Sequence, residues 1–185
     1  AVKQMSEGEL LQVEKVRRMD VDEPVYYEVI RQKTASLIAS CCACGAASAG
    51  ADADVIEKMR LFGEKIGIAF QIKDDMFDFG TDDVGKPLGI DIKEKKVTLP
   101  LIYALQHSPS VVKRRMINLV KNHSEEPDKI AEVIGFVKET GVLEYAGTQM
   151  KKYQDEAFAI LDTFEPGEAR PGHATFVSKT TERDK

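Results

Sequence analysis

The most informative stretch of this chain is residues 70–100, which read FQIKDDMFDFGTDDVGKPLGIDIKEKKVTLP. Asp74, Asp75 and Asp78 stand at positions i, i+1 and i+4, so a helix would place Asp74 and Asp78 on one face. Carboxylates packed this closely repel one another unless water or a cation offsets their charge. Several lysines follow in a segment interrupted by glycines. The pattern suits a magnesium ion, which one or two carboxylates hold while the phosphate oxygens of a ligand complete its coordination.

The composition limits the classes of protein to which the chain can belong. Its 185 residues include 31 acidic and 26 basic side chains, a formal net charge of −5. This charge argues against a general nucleic-acid-binding protein, which needs a basic surface. No apolar run approaches the roughly twenty residues of a membrane-spanning helix, and no signal-peptide pattern opens the chain. We therefore expect a single domain over residues 1–185, located in the cytoplasm, with no nucleic-acid partner and no transmembrane segment.

The segments on both sides of Gly50 read as two long helices. Pro24 suits the first turn of the first helix, whose second half is almost entirely Ala, Ser, Cys and Gly and permits close packing. The second helix is predicted to run from Asp54 to Asp78, with apolar residues at three- and four-residue spacing on one face and small, then acidic, residues on another. This arrangement is typical of a helix that lines a cavity.

The C-terminal part also reads as helices, and the sequence shows no convincing strand. A third helix starts at Thr98, and a basic amphipathic helix covers Val111 to Val120. We expect one long helix from Pro127 to about Leu161, bent at Gly141, and at most a short final helix in the proline- and glycine-containing tail. The sequence therefore predicts an all-α helical bundle around a central cavity.

Three cysteines, Cys41, Cys42 and Cys44, crowd into the first of these helices. No histidine stands near enough in sequence to give a familiar zinc spacing. We expect these residues to act as small apolar fillers in a tightly packed helix.

The motif at residues 70–100 resembles the second aspartate-rich motif of the trans-isoprenyl (polyprenyl) diphosphate synthases. The matching positions extend on both sides of the aspartates and include Phe70-Gln71, Gly85-Lys86, Gly89, Asp91, Lys96 and Thr98-Leu99-Pro100. Upstream, Lys33-Thr34-Ala35 and the stretch Gly8-Glu9-Leu10-Leu11-Gln12 resemble two further blocks of the family. The first aspartate-rich motif and an upstream Gly-Lys-Arg segment do not occur here. The resemblance therefore covers about the C-terminal half of such a synthase and implies part of its helical bundle.

The resemblance implies roles for the acidic residues and for the first block. Asp74 would be a direct ligand of Mg²⁺, and Asp75 and Asp78 would act directly or through bound water. Lys33 would contact the allylic diphosphate, and Thr34 would line the pocket beside it.

The resemblance also implies roles for an amide and for two lysines. Gln71 would place its amide dipole near the allylic carbon where positive charge develops. Lys86 and Lys96 would bind diphosphate or support its charge. Lys95 stands where many members of the family carry glycine, which leaves open whether Lys95 or Lys96 faces the site.

The reaction implied by the resemblance joins isopentenyl diphosphate to an allylic diphosphate. Mg²⁺ and lysines would stabilise the departing diphosphate, and apolar walls would exclude water from the allylic cation. The resemblance also implies that residues 1–20 lie at or near a homodimer interface. The Gly8–Gln12 block and the composition of the loop are more similar to those of synthases with medium-length or long products.

Three interpretations stay open. In the first, the chain is a fragment of a complete synthase, incomplete as an enzyme alone, and associates with itself or with the missing N-terminal half. In the second, it is a natural non-catalytic or regulatory subunit of a heteromeric synthase. A terpene cyclase is a weaker third possibility, because cyclases lack the combined Phe-Gln, Gly-Lys and Lys-Thr blocks.

Overall fold

The computed structural model describes residues 1–18, 22–80, 88–165, 167 and 170–181, with side chains described except at 16–18 and 181. Within these residues the chain is helical and contains no β-strand, which confirms the predicted all-α class. None of the described helices is long and apolar enough to cross a membrane. The elements in chain order are α1 (Val2–Arg18), α2 (Glu23–Ile30), a π-helical segment (Arg31–Ala35), α3 (Ser36–Ser48), α4 (Ala53–Phe77), α5 (Ile90–Lys93), α6 (Leu99–Gln106), α7 (Ser110–Asn122), α8 (Pro127–Glu139), α9 (Val142–Leu161) and α10 (Arg170–Thr181).

The first long predicted helix is present, but a π-helical segment lies in its middle. Pro24 occupies the first turn of α2, where its missing N–H leaves no helical hydrogen bond unmade. The segment Arg31–Ala35 follows without a break and leads directly into α3. π-Helical turns are rare and occur frequently at functional sites. This one contains Lys33 and Thr34, although nothing in the sequence pattern predicts it.

Helix α4 confirms the second long helix and packs closely on the first. Its start is capped by Asp52, whose carboxylate accepts a hydrogen bond from the Val55 N–H at 2.9 Å. A methyl group added at Gly67 would lie 2.6 Å from Ala35 Cα, and one at Gly63 would lie 2.7 Å from the Ile38 carbonyl oxygen. The small residues of the two helices therefore permit the close approach that the composition predicted.

The long helix expected from Pro127 to Leu161 is instead two helices. Helix α8 ends at Glu139, and α9 begins at Val142. Gly141 has φ +69°, a left-handed conformation that does not continue a helix and that glycine adopts without strain. The glycine ends the helix where the sequence suggested a bend.

The final helix is longer than expected. Helix α10 contains 12 residues, because Pro171 lies in its first turn, where proline is tolerated, and does not break it. Val177 of this helix is buried.

The chain divides into two compact units. The first consists of the described residues in Ala1–Leu11, Tyr27–Gln71 and Thr148–Asp184, and the second contains Gln12–Tyr26 and Ile72–Gly147. The core of the first unit contains Phe62, Ile66, Ala157, Leu161 and Val177. The core of the second unit is larger and contains Phe79, Ile92, Leu101, Ala104, Leu105, Met116, Leu119, Val120, Val133, Val137 and Val142. The single-domain organisation over residues 1–185 stays a prediction.

Candidate functional site

A polar cavity in the second unit brings together several of the predicted site residues. Its volume is about 210 Å³, and its lining includes Asp74 near the end of α4, Asp78 in the following turn, and Lys96. Two acidic residues that had not been singled out as ligands, Asp91 and Glu94, line the same cavity. Four carboxylates and one ammonium group therefore share a small space, and this composition suits a cation together with a phosphate group.

Asp78 is held in place by the short helix α5, which the sequence analysis did not predict. Its side chain is buried, and Asp78 Oδ2 accepts a hydrogen bond from the Asp91 N–H at 2.9 Å. Burial, followed by the negative charge of Asp91, raises the pKa of Asp78 to about 6, although hydrogen bonds from the backbone N–H groups of Asp91, Ile90 and Ile92 oppose the shift. Gly89 precedes the helix in a left-handed conformation, φ +79°. The turn directs the first N–H groups of α5 at the carboxylate.

Lys96 is the basic residue of this cavity. Its ammonium group lies 3.0 Å from Asp91 Oδ1 and 2.7 Å from Glu94 Oε2. Burial alone would lower the pKa of Lys96, but the hydrogen bonds with Glu94 and Asp91 outweigh it and raise the pKa. Lys95 is exposed and adopts φ +57°, a conformation that favours glycine and explains why glycine suits this position. In this structure Lys96 faces the cavity.

Asp91 belongs to the predicted motif, but nothing in the sequence indicated its role. Its backbone holds Asp78 and its carboxylate holds Lys96, so it links the two. Asp91 belongs to the matching motif, but its spacing from Asp78 and Lys96 follows no helical period, and only the turn geometry shows the contact.

Asp75 points elsewhere. It is buried, and its Oδ2 accepts a hydrogen bond from the Tyr26 hydroxyl at 2.8 Å. It does not line the cavity that contains Asp74 and Asp78. Although four carboxylates line that cavity, the described residues contain no group of three or more acidic, histidine or cysteine side chains placed to hold a metal ion by themselves. Mg²⁺ commonly needs only one or two carboxylates when phosphate oxygens and water supply its remaining ligands. Asp74 and Asp78 fit that requirement.

Lys33, Thr34 and Gln71 lie in the first unit. The Thr34 hydroxyl donates a hydrogen bond to Gln71 Oε1 at 3.0 Å, which joins the π segment to α4. Lys33 forms an ion pair with Glu9 of α1, 2.5 Å between Nζ and Oε2. Lys86, the remaining predicted diphosphate ligand, lies outside the described residues.

A larger cavity of about 600 Å³ also lies in the first unit. Its walls are mainly apolar and include Cys41, Cys42, Ala46, Val55 and Met59. Cys41 and Cys44 are exposed and Cys42 is partly buried, so the expectation of a tightly packed filler fits Cys42 alone. This apolar cavity lacks the clustered carboxylates of the smaller one.

Comparisons with known proteins show which family this chain resembles. The family described as polyprenyl synthetase matches residues 1–137. The chain is 36% identical to heptaprenyl diphosphate synthase component 2 of Geobacillus stearothermophilus over 167 residues, which cover 88% of this chain and 50% of that protein. The chain spans about half the length of the curated relatives it matches.

Solved structures extend the similarity to the fold. A geranylgeranyl pyrophosphate synthase from Bacteroides thetaiotaomicron superposes with a TM-score of 0.89 at 38% identity and covers 98% of this chain and 60% of its own. A polyprenyl synthase from Caulobacter crescentus CB15, crystallised with calcium and isoprenyl diphosphate, gives a TM-score of 0.88 at 29% identity and covers 99% of this chain and 56% of its own. The chain belongs to the polyprenyl synthetase family.

Proposed function

We propose that this chain carries a magnesium-dependent diphosphate site of a prenyltransferase, which adds isopentenyl diphosphate to an allylic diphosphate. The observation that carries the proposal is the cavity shared by Asp74, Asp78 and Lys96. Carboxylates and an ammonium group in one half-enclosed space can hold a cation and a diphosphate at the same time.

The acidic residues would act as follows. Asp74 provides a direct ligand for Mg²⁺, and Asp78 provides a second or acts through bound water. Asp75, whose carboxylate holds Tyr26, supports the site by fixing the end of α4 and not as the direct or water-mediated ligand that the resemblance implied. When bound, Mg²⁺ would neutralise the allylic diphosphate and make it a better leaving group.

The basic residues bind the diphosphate. Lys96 has three N–H donors and pairs with Asp91 and Glu94. A bound diphosphate would take over one of these contacts without leaving the ammonium group unpaired. From the family resemblance, Lys86 and Lys33 add further positive charge for the diphosphate.

Thr34 and Gln71 orient the reacting carbon. The hydrogen bond from Thr34 fixes the Gln71 amide, whose dipole would then stabilise positive charge on the allylic carbon. A fixed dipole acts without reorganising during the reaction, which is the basis of electrostatic catalysis.

A second candidate is a subunit of a heteromeric synthase that binds diphosphate without elongating it. A relative named as component 2 of a heptaprenyl diphosphate synthase supports this reading, because the name describes one part of an assembly. Assembly as a homodimer and location in the cytoplasm remain predictions.

The test is calorimetric titration of the chain with a non-hydrolysable allylic diphosphate analogue, with Mg²⁺ and with EDTA. Asp74→Asn should abolish magnesium-dependent binding. Asp155→Asn, which changes an exposed carboxylate on α9, should not affect binding. Binding that survives both EDTA and Asp74→Asn would refute the proposed site. Incorporation of labelled isopentenyl diphosphate by the same chain then tests the second candidate, since elongation of the primer by this chain alone would refute a subunit that only binds diphosphate.

A further inference from the structure

The block Gly8–Gln12 resembles a family motif, yet the proposed site uses none of its residues. In the structure this part of α1 lies against the π segment. A methyl group added at Gly8 would lie 2.8 Å from the Lys33 backbone nitrogen and 2.9 Å from Gln32 Cβ. Both distances are shorter than atoms tolerate, so only glycine allows α1 to approach the π segment this closely.

The close approach places Glu9 beside Lys33. The Glu9 carboxylate contacts the Lys33 ammonium group across the two elements, and both side chains remain partly exposed, at 52% and 36%. An ion pair in contact with water is weak, so it can orient a lysine without sequestering it.

We propose that Glu9 is a positioning residue that holds the Lys33 ammonium group ready for a diphosphate. The inference rests on the proposed function, because it takes Lys33 to be a diphosphate ligand. A lysine side chain has many rotamers, and restricting them before binding lowers the entropy lost when the ligand arrives. The ammonium group has three N–H donors, so a contact with Glu9 can persist when a diphosphate binds.

The alternative role for Glu9 is a structural contact that merely fastens α1 to the π segment. That role predicts a loss of stability in Glu9→Ala with no change in the affinity for pyrophosphate. A positioning role predicts the opposite, namely a change in ligand affinity that requires Lys33.

The experiment measures the affinity of the whole chain for inorganic pyrophosphate at saturating Mg²⁺ by calorimetry. The variants are Glu9→Ala, Lys33→Ala, their double variant, Glu7→Ala and Asp74→Asn. Glu7 is a matched control, since it is an exposed carboxylate on the same helix that pairs with Lys3. Thermal unfolding of each variant checks the fold.

We expect Glu9→Ala to weaken pyrophosphate binding about fivefold and Lys33→Ala to weaken it tenfold or more, in line with partly exposed charge-assisted contacts. In the Lys33→Ala background, Glu9→Ala should cause no further loss. Glu7→Ala should bind as the unmodified chain does.

Two results would overturn the inference, and they are distinguishable. If Lys33→Ala weakens binding but Glu9→Ala does not, or weakens it equally in both backgrounds, the positioning role is wrong and the proposed function stands. If neither Lys33→Ala nor Asp74→Asn affects binding, the proposed diphosphate site is wrong as well.

Discussion

The Tyr26 hydroxyl donates a hydrogen bond to Asp75 across 49 residues of sequence, with 2.8 Å between the two oxygens. Tyr26 is 3% exposed and Asp75 is 5% exposed, so water cannot readily replace either partner. One carboxylate of the aspartate-rich motif therefore anchors the end of α4 to α2. The motif serves the fold as well as the proposed metal site.

Removing this hydroxyl should destabilise the protein. We expect Tyr26→Phe to lower the free energy of unfolding by about 1–3 kcal/mol, because a buried carboxylate loses a donor. Tyr27→Phe is the control, since the Tyr27 hydroxyl lies 3.5 Å from Gln149 Oε1, at the limit of hydrogen bonding. Urea unfolding of both variants gives the comparison, and equal losses would contradict the anchoring role of Asp75.

Gly89 should be intolerant of a side chain for two separate reasons. It has φ +79°, and an added methyl group would lie 2.3 Å from Ile130 Cγ2. Gly141 shares the positive φ, at +69°, but nothing lies near its added methyl group. We expect Gly141→Ala to cost about 1–2 kcal/mol of stability from the backbone alone. Gly89→Ala should cost about 1–3 kcal/mol more from overpacking.

A double-mutant cycle separates the two costs at Gly89. In an Ile130→Ala background the nearest clashing group is gone and Ile134 Cδ1, at 3.2 Å, is the remaining close contact. Most of the excess cost of Gly89→Ala over Gly141→Ala should therefore disappear. Chemical denaturation of the four variants measures this. If the excess cost persists without the Ile130 side chain, the clash is not its cause.

The three neighbouring cysteines should differ in reactivity. Cys41 and Cys44 are exposed, whereas burial, followed by the adjacent Cys41, raises the pKa of the Cys42 thiol. A raised pKa lowers the fraction of reactive thiolate. Titration with Ellman's reagent at pH 8 should therefore show two fast thiols and one slow one. Cys42→Ser should remove the slow phase, and a loss of a fast phase instead would contradict the structure.

Local sequence patterns were sufficient for α4, but they predicted neither the short helix α5 nor the irregularities of the longer helices. The spacing of apolar residues predicts α4 because it acts within a few residues, and in the structure Asp52 caps the start of this helix. The break at Gly141 depends on the positive φ of this one residue. The apolar spacing did not predict it, because a bent helix and two separate helices have the same spacing. The π segment at Arg31–Ala35 has no periodic signature, so its position became visible only in three dimensions.

The residues of the candidate site were predicted more completely than the contacts between them. Family resemblance named Asp74, Asp78 and Lys96, and the structure places all three around one cavity. Their functional roles stay predictions. Resemblance did not reveal that Asp91 links Asp78 to Lys96, because that link depends on the turns around α5. Nor did it reveal the contact between Glu9 and Lys33, which joins elements far apart in sequence.

The link between Asp78 and Asp91 makes stability depend on pH in the metal-free protein. Burial and then the Asp91 charge raise the pKa of Asp78 to about 6. The unfolded chain has the ordinary aspartate pKa of about 4, so the native state binds the proton more tightly. The contribution of Asp78 to stability is therefore fully present below about pH 4 and is lost as the pH rises towards 6.

Asp91→Asn tests this dependence, because it removes the carboxylate charge but keeps the backbone N–H group that donates a hydrogen bond to Asp78. We expect the pKa of Asp78 to fall in this variant, because the negative charge of Asp91 no longer raises it. The loss of stability between pH 4 and 6 should then become smaller. Carbon-13 NMR of the Asp78 carboxyl group in EDTA measures the pKa, and urea unfolding across the same range measures stability. Asp78→Asn should abolish this contribution altogether. An unchanged Asp78 pKa in Asp91→Asn would show that burial alone causes the shift, and that the Asp91 carboxylate acts only on Lys96.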